Sequence, residues 1–136
     1  MRRPGDVPAF PPWLRFIAAI SMQGAEARSR NLLRQWLSAD ERELFNAKGY
    51  LDVIGCHSGK RYRIYYGVVS NVRELDEDGK PRLGLCFAPE GALPVGDVML
   101  AQKIALETDE QSTRALANCF PTALPPPQPD RLRSFR

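Results

Sequence analysis

Residues 49–67, GYLDVIGCHSGKRYRIYYG, decide how the rest of this chain is read. Leu51, Val53 and Gly55 alternate with Asp52 and Ile54, and beyond Ser58-Gly59 the residues Tyr62, Ile64 and Tyr66 alternate with Arg61, Arg63 and Tyr65. A period of two on both sides of a Ser-Gly turn predicts a β-hairpin with one apolar face and one basic, aromatic face.

Upstream of the hairpin the pattern turns helical. Gly49 is a natural left-handed stop, and Ser38-Ala39-Asp40-Glu41 has the S-x-x-E form of a capping box, so a short helix is expected between them with Leu44 and Phe45 inward. Before Ser38, the stretch AEARSRNLLRQWL places Leu33, Trp36 and Leu37 on one helical face. Gly24 is expected to separate it from an earlier helix over about residues 12–23, opened by Pro11 and Pro12. That earlier helix carries Trp13, Phe16, Ile17 and Ile20 as an apolar stripe. The stripe lacks the strongly basic opposite face of a membrane-surface helix, which favours packing within the chain over a membrane or a partner.

Downstream, VVSNVREL reads as a third strand, Asp76 to Lys80 as a turn on Asp78-Gly79, and RLGLCF as a fourth strand with Leu83, Leu85 and Phe87 on one face. Asp97 is the expected N-cap of a last helix whose Val98, Met99, Leu100, Ala101, Ile104 and Leu106 cover the sheet. Beyond Glu107 that helix becomes charged and is expected to run into solvent before Pro121. The fold expected is α+β: N-terminal helices, a four-stranded antiparallel meander, and a C-terminal helix packed on one sheet face. Proline-rich tails flank it, giving an arm over residues 1–11, a single domain over 12–120 and a proline- and arginine-rich tail over 121–136.

At 136 residues the chain suits one domain with a substantial core, and 43% hydrophobic with 26% charged residues is ordinary globular composition. A formal charge of +3 does not by itself imply a nucleic-acid partner. Three cysteines without a CxxC pair argue against a disulfide framework and suit a reducing compartment, so a cytoplasmic location is expected. The apolar run Trp13 to Met22 is too short to span a membrane and includes Arg15, and no signal-peptide pattern fits the first residues.

Candidate chemistry is sparse. Cys56, His57, Cys86 and Cys119 are too widely scattered for the paired ligands of a structural zinc site, so neither metal nor cofactor is expected. Cys86 and Cys119 read as small buried hydrophobes. Cys56 beside His57, with Lys60 and Arg61 near, permits a nucleophilic cysteine on paper, yet adjacent residues rarely reach the required geometry and no third group is identifiable. The acidic clusters Asp76-Glu77-Asp78 and Glu107, Asp109, Glu110 read as a hairpin tip and a solvated helix face. No catalytic residue is assigned.

One binding surface stands out: Lys60, Arg61, Arg63 and Tyr65 lie along the turn and outer side of one strand, where cations meet phosphates and a ring stacks on a base. Arg2, Arg3, Arg131, Arg133 and Arg136 extend it as arms. The competing reading is a solvated sheet face with cross-strand pairing to Asp52 or Glu74.

The series G-Y-x-D-V-x-G from Gly49, S-G-K-x-Y-R-I from Ser58, Asn71-Val72, Leu85-Cys86-Phe87 and Gly96-Asp97-Val98-Met99-Leu100-Ala101-Gln102-Lys103 resembles a small uncharacterised α+β domain of bacterial and phage-derived proteins. The likeness covers about residues 27–115 and implies a mobile-element context but no activity. The function expected is therefore a non-enzymatic binding or structural subunit of a larger assembly, touching protein partners through its tails and the basic-aromatic face. A nucleic-acid-binding accessory module is the alternative, and a small cysteine-dependent enzyme the second alternative.

Overall fold

A computed structural model of the chain describes residues 12–88 and 91–122, with side chains from residue 24 onward. The N-terminal arm and residues 123–136, with Arg2, Arg3, Arg131, Arg133 and Arg136, lie outside the described residues. The elements run α1 (Pro12–Gln35), α2 (Ala39–Lys48), β1 (Tyr50–Ile54), β2 (Arg61–Tyr65), β3 (Val72–Leu75), β4 (Pro81–Cys86), α3 (Val95–Thr108), α4 (Glu110–Leu116) and β5 (Asn118–Phe120). They make an α+β domain in which helices cover one face of an antiparallel sheet with strand order β1-β2-β3-β4-β5. None of the described helices is long and apolar enough to cross a membrane.

The hairpin forms as its alternation dictates. Leu51 pairs with Ile64 and Val53 with Tyr62, and all four are buried. Their apolar row continues through Val72 and Leu85 on the next two strands, against Leu33, Leu37, Phe45, Met99 and Leu106 of the helical side. The capping box forms: the Glu41 amide donates to Ser38 Oγ at 3.2 Å, and the Ser38 amide donates to Glu41 Oε1 at 3.1 Å. Gly49 closes α2 at φ 78° with its amide donating to the Phe45 carbonyl. The turn at Asp76 also forms as its residues require, with Asp76 Oδ1 accepting from the amides of Asp78 and Lys80.

Four expectations are corrected. Gly24 does not break the first helix; α1 is one helix of 24 residues, because a lone glycine costs only about 1 kcal/mol and the flanking residues are good helix formers. The third strand begins at Val72, since Tyr66 to Ser70 form a bend that ends on a left-handed Ser70 at φ 52°. Asp97 is not the N-cap of α3: Pro94 is, and Asp97 sits within the first turn, where its amide donates to Ser29 Oγ and its Oδ1 accepts from the same hydroxyl. The last helix does not run out to Pro121. It ends at Thr108, breaks at Asp109, resumes as α4, and the chain then returns to the sheet as a fifth strand, with Cys119 opposite Leu85.

Lys103 ties α3 to the start of α2. Although nearly buried, its Nζ reaches Glu107 Oε1 at 2.5 Å and Glu41 Oε2 at 3.2 Å. Glu41 therefore serves the capping box with one oxygen and Lys103 with the other. Ser38→Ala is expected to lower stability by about 1 kcal/mol, as loss of an N-cap does. Urea unfolding followed by circular dichroism measures the change.

Candidate functional site

Two arrangements gather the sequence-predicted site residues: a latch between the hairpin turn and α4, and the outer face of the sheet. A third, an apolar groove, uses residues that the sequence did not single out.

The latch begins at Gly55, where the chain leaves β1. α4 crosses at this point, and the Glu110 carboxylate lies so close that a Cβ on residue 55 would overlap it. Glu110 is 1% exposed. Its Oε1 accepts from the amides of His57 at 3.0 Å and Ser58 at 2.7 Å, and its Oε2 accepts from Ser58 Oγ and Tyr62 Oη, both at 2.5 Å. The turn reciprocates: Cys56 Sγ accepts the Glu110 amide at 3.4 Å, and His57 Nδ1 accepts the Gln111 amide at 3.1 Å. These are the orphan amides of a helix start, so each segment satisfies the other's unpaired backbone groups.

The network extends inward. Tyr62 Oη accepts from Arg114 Nη1 at 2.9 Å, and the same nitrogen reaches Glu74 Oε1 at 3.2 Å, where Lys60 Nζ also arrives at 2.9 Å. Burial and the bond to Glu110 push the Tyr62 phenol up to about 12. For Glu110, burial opposes ionisation, but the hydrogen bonds from Ser58, Tyr62 and the two turn amides outweigh it and hold the carboxyl down at about 2. The expectation that Glu110 lies on a solvated helix face is thus overturned, while Glu107 and Asp109 are exposed.

This chemistry suits holding, not reacting. A carboxyl at about 2 is a feeble base near neutrality. Cys56 and His57 each spend their side chains on an amide of α4 and not on one another. Among the described residues no group of three or more His, Cys, Asp or Glu is placed to hold a metal ion. Cys119, expected to be buried, is exposed on the short edge strand, and Cys86 is half-buried.

The outer face carries a register row across all five strands: Asp52, Arg63, Arg73, Gly84, Phe120. Arg63 makes a bidentate pair with Asp52, at 2.8 and 3.1 Å, and lies 4.1 Å from the centre of the Tyr50 ring. The pairing raises the guanidinium's pKa, stabilising its charged form. Tyr65 meets Tyr50 edge-on at 5.5 Å. Arg73 is 2% exposed, donates to the Ser70 carbonyl at 2.6 Å and stacks 4.6 Å from the Phe120 ring, which itself lies over Gly84 where any side chain would collide. Of the four expected binding residues, Arg61, Arg63 and Tyr65 share this face; Lys60 instead turns to Glu74, which is in register with Tyr62 of the inner face. Tyr50, Arg73 and Phe120 join the face unforeseen, because only strand register brings them there.

The groove, of about 440 Å³, runs between α3, α4 and the segment after β4, lined by Phe87, Leu93, Val98, Ala101, Ala105 and Leu116. Leu93 is 50% exposed and Leu116 is 80% exposed. Asp97 stands at its wall.

Comparison with protein-family models, with curated proteins and with solved structures found no match to this chain.

Glu110 contributes to the acid stability of the fold. A folded-state pKa depressed from 4.5 to about 2 contributes stability that is fully present above pH 4.5 and is lost as pH falls toward 2, about 3 kcal/mol in all. Glu110→Gln should be less stable than the wild type at pH 7, and the difference should shrink as denaturant titrations are repeated down to pH 2. A constant difference across that range contradicts the assignment. Gly55→Ala is expected to destabilise strongly, since the methyl group must displace the carboxylate.

Proposed function

We propose that this protein is a non-enzymatic binding or structural subunit, docking on a protein partner through the first half of α1 together with its proline-rich arms. The observation that carries the reading is the continuity of α1. At about 100° per residue, one uninterrupted helix sets positions 13, 16, 17 and 20 roughly 140° away from positions 29, 30 and 33. Ser29, Arg30 and Leu33 are the buried side of the helix on this domain. Positions 13, 16, 17 and 20, which carry the apolar stripe in the sequence, therefore map by helix periodicity to a different side of α1 from Ser29, Arg30 and Leu33. The expectation of packing within the chain, which rests on the lack of a strongly basic opposite face, is the competing reading. A partner that takes both the stripe and the arms gains a large contact from few residues.

The internal use of the candidate chemical groups also supports binding over catalysis: Glu110, Cys56 and His57 are committed to the latch. Nucleic-acid binding ranks second. Phosphate affinity rises with the number of cations available for counter-ion exchange, and Arg63 and Lys60 already hold carboxylates of this chain.

The test compares Ile17→Glu/Ile20→Glu with Leu33→Ala in the full chain. The double variant should keep the wild-type urea midpoint and lose a partner that co-purifies stoichiometrically with the wild type, whereas Leu33→Ala should lose roughly 2–5 kcal/mol of stability. An equal fall in stability for the double variant places the stripe in this domain's own core and overturns the reading, as does undiminished partner retention. On single-stranded and duplex oligonucleotide columns at two salt concentrations, the wild type should show no salt-sensitive retention; strong retention lost at the higher salt favours the second reading.

A further inference from the structure

The break between α3 and α4 has no cause in its own stretch of sequence: Ala105 to Leu116 contains neither glycine nor proline. We propose that α4 and β5 exchange between two copies of this chain. α3 and α4 straighten into one helix through Asp109, and the Glu110–Phe120 segment of each copy docks on the hairpin turn and β4 edge of the other.

Three observations lead there. The first is how the helix is interrupted. Helical hydrogen bonds continue on both sides of the break, since the Asp109 amide donates to the Ala105 carbonyl at 2.8 Å and the Asp109 carbonyl accepts the Thr113 amide at 3.1 Å. A continuous helix would also send the Glu110 amide to the Leu106 carbonyl and the Gln111 amide to the Glu107 carbonyl. The hairpin turn takes these groups instead. The Leu106 carbonyl accepts the Cys56 amide at 3.2 Å, while the Glu110 amide donates to Cys56 Sγ and the Gln111 amide to His57 Nδ1. The turn is thus a wedge, and the bent and straight helices are alternative uses of the same backbone groups. A thiol sulfur is a weak acceptor, so withdrawing the wedge replaces a poor hydrogen bond by a helical one.

The second is what holds the segment down. α4 buries only Glu110 and Thr113, Leu116 is 80% exposed, and no residue of α4 or β5 belongs to the buried apolar cluster. The segment can leave while the core stays closed, which is the condition for opening below global unfolding. The third is the shape of the surface beneath it. Gly55 leaves room for a carboxylate among four donors of the turn and Tyr62, and Gly84 leaves room for a ring stacked on Arg73. A carboxylate on a helix and a phenyl ring on the strand that follows meet both places, and a second copy carries that segment by identity. The straightened helix, Val95 to Leu116, is about 22 residues and roughly 33 Å long, and it carries Glu110 away from its own turn. Exchange in both directions closes the pair as a two-fold dimer.

The exchange uses α3, α4 and β5 and does not rest on the α1 reading, which Ile17→Glu/Ile20→Glu tests separately. Full-length protein is refolded from urea at high concentration, and its monomer and dimer are separated by size exclusion with light scattering. Asp109 is exposed, so the hinge tolerates substitution. Alanine favours the continuous helix over glycine by about fivefold at each hinge, so the dimerisation constant of Asp109→Ala should exceed that of Asp109→Gly by about 25-fold. A crosslink then identifies the exchange. Asn118 lies opposite Cys86 across β4 and β5, and Asn118→Cys in a Cys119→Ser background places two thiols in register. Oxidised monomer should be linked within one chain, which serves as the control for the geometry. Oxidised dimer should run as a covalent dimer on a non-reducing denaturing gel. A dimer whose chains separate on that gel is a side-by-side contact and overturns the proposal. Equal dimerisation of the two hinge variants overturns it as well, as does a wild type and Asp109→Ala that stay monomeric after concentrated refolding.

Discussion

An ionised carboxylate enclosed by protein costs several kcal/mol unless its lone pairs are used, and Glu110 uses them on four donors from a single turn and one neighbouring strand. Much of the remaining architecture depends on that arrangement. The turn at 55–59 has few apolar groups with which to hold a helix, so a charged anchor takes their place. Gly55 gives the carboxylate room, Tyr62 donates to it from the adjacent strand, and Cys56 and His57 in turn receive the first amides of α4. With α4 fixed here, the chain emerges at Leu116 in position to lay β5 against β4.

The fifth strand then completes the outer face. Phe120 lies over Gly84 and against Arg73, and this closes a row that begins with the Asp52–Arg63 pair at the opposite edge. Arginine is suited to such a layer because its flat guanidinium stacks on rings while its nitrogens bond carboxylates or carbonyls in plane. Of the cations the sequence places on this surface, Arg63 is paired with Asp52 and lies against the Tyr50 ring, and Arg73 joins it from β3 against Phe120. Cations paired and stacked in register hold neighbouring strands together.

How much was legible in the sequence depends on the range over which each interaction acts. The capping box at Ser38, the left-handed Gly49, the Asp76 turn and the hairpin alternation are set by contacts between residues a few positions apart, and they form as read. The Asp52 pairing with Arg63 was readable as one of two options, because hairpin register brings the two opposite each other. Glu110 was misplaced because nothing within its own stretch, Thr108-Asp109-Glu110-Gln111, distinguishes it from a solvated helix residue. Its four donors lie 48 to 53 positions away. Gly55 was the available signal: a glycine ending a strand marks a place where something approaches closely, without saying what.

The sequence by itself determined the class of the fold, the order of α2, the first four strands and α3, and the inward set of the hairpin, because periodicity and turn chemistry are local and strong. Only the tertiary structure decided that α1 is unbroken, that the last helix halts at Asp109, that a fifth strand follows, and that the charged groups around Tyr62 serve one another. Those outcomes turn on long-range pairing, where a buried charge selects whichever distant donors can satisfy it, and one chain read in order does not show which segments will meet.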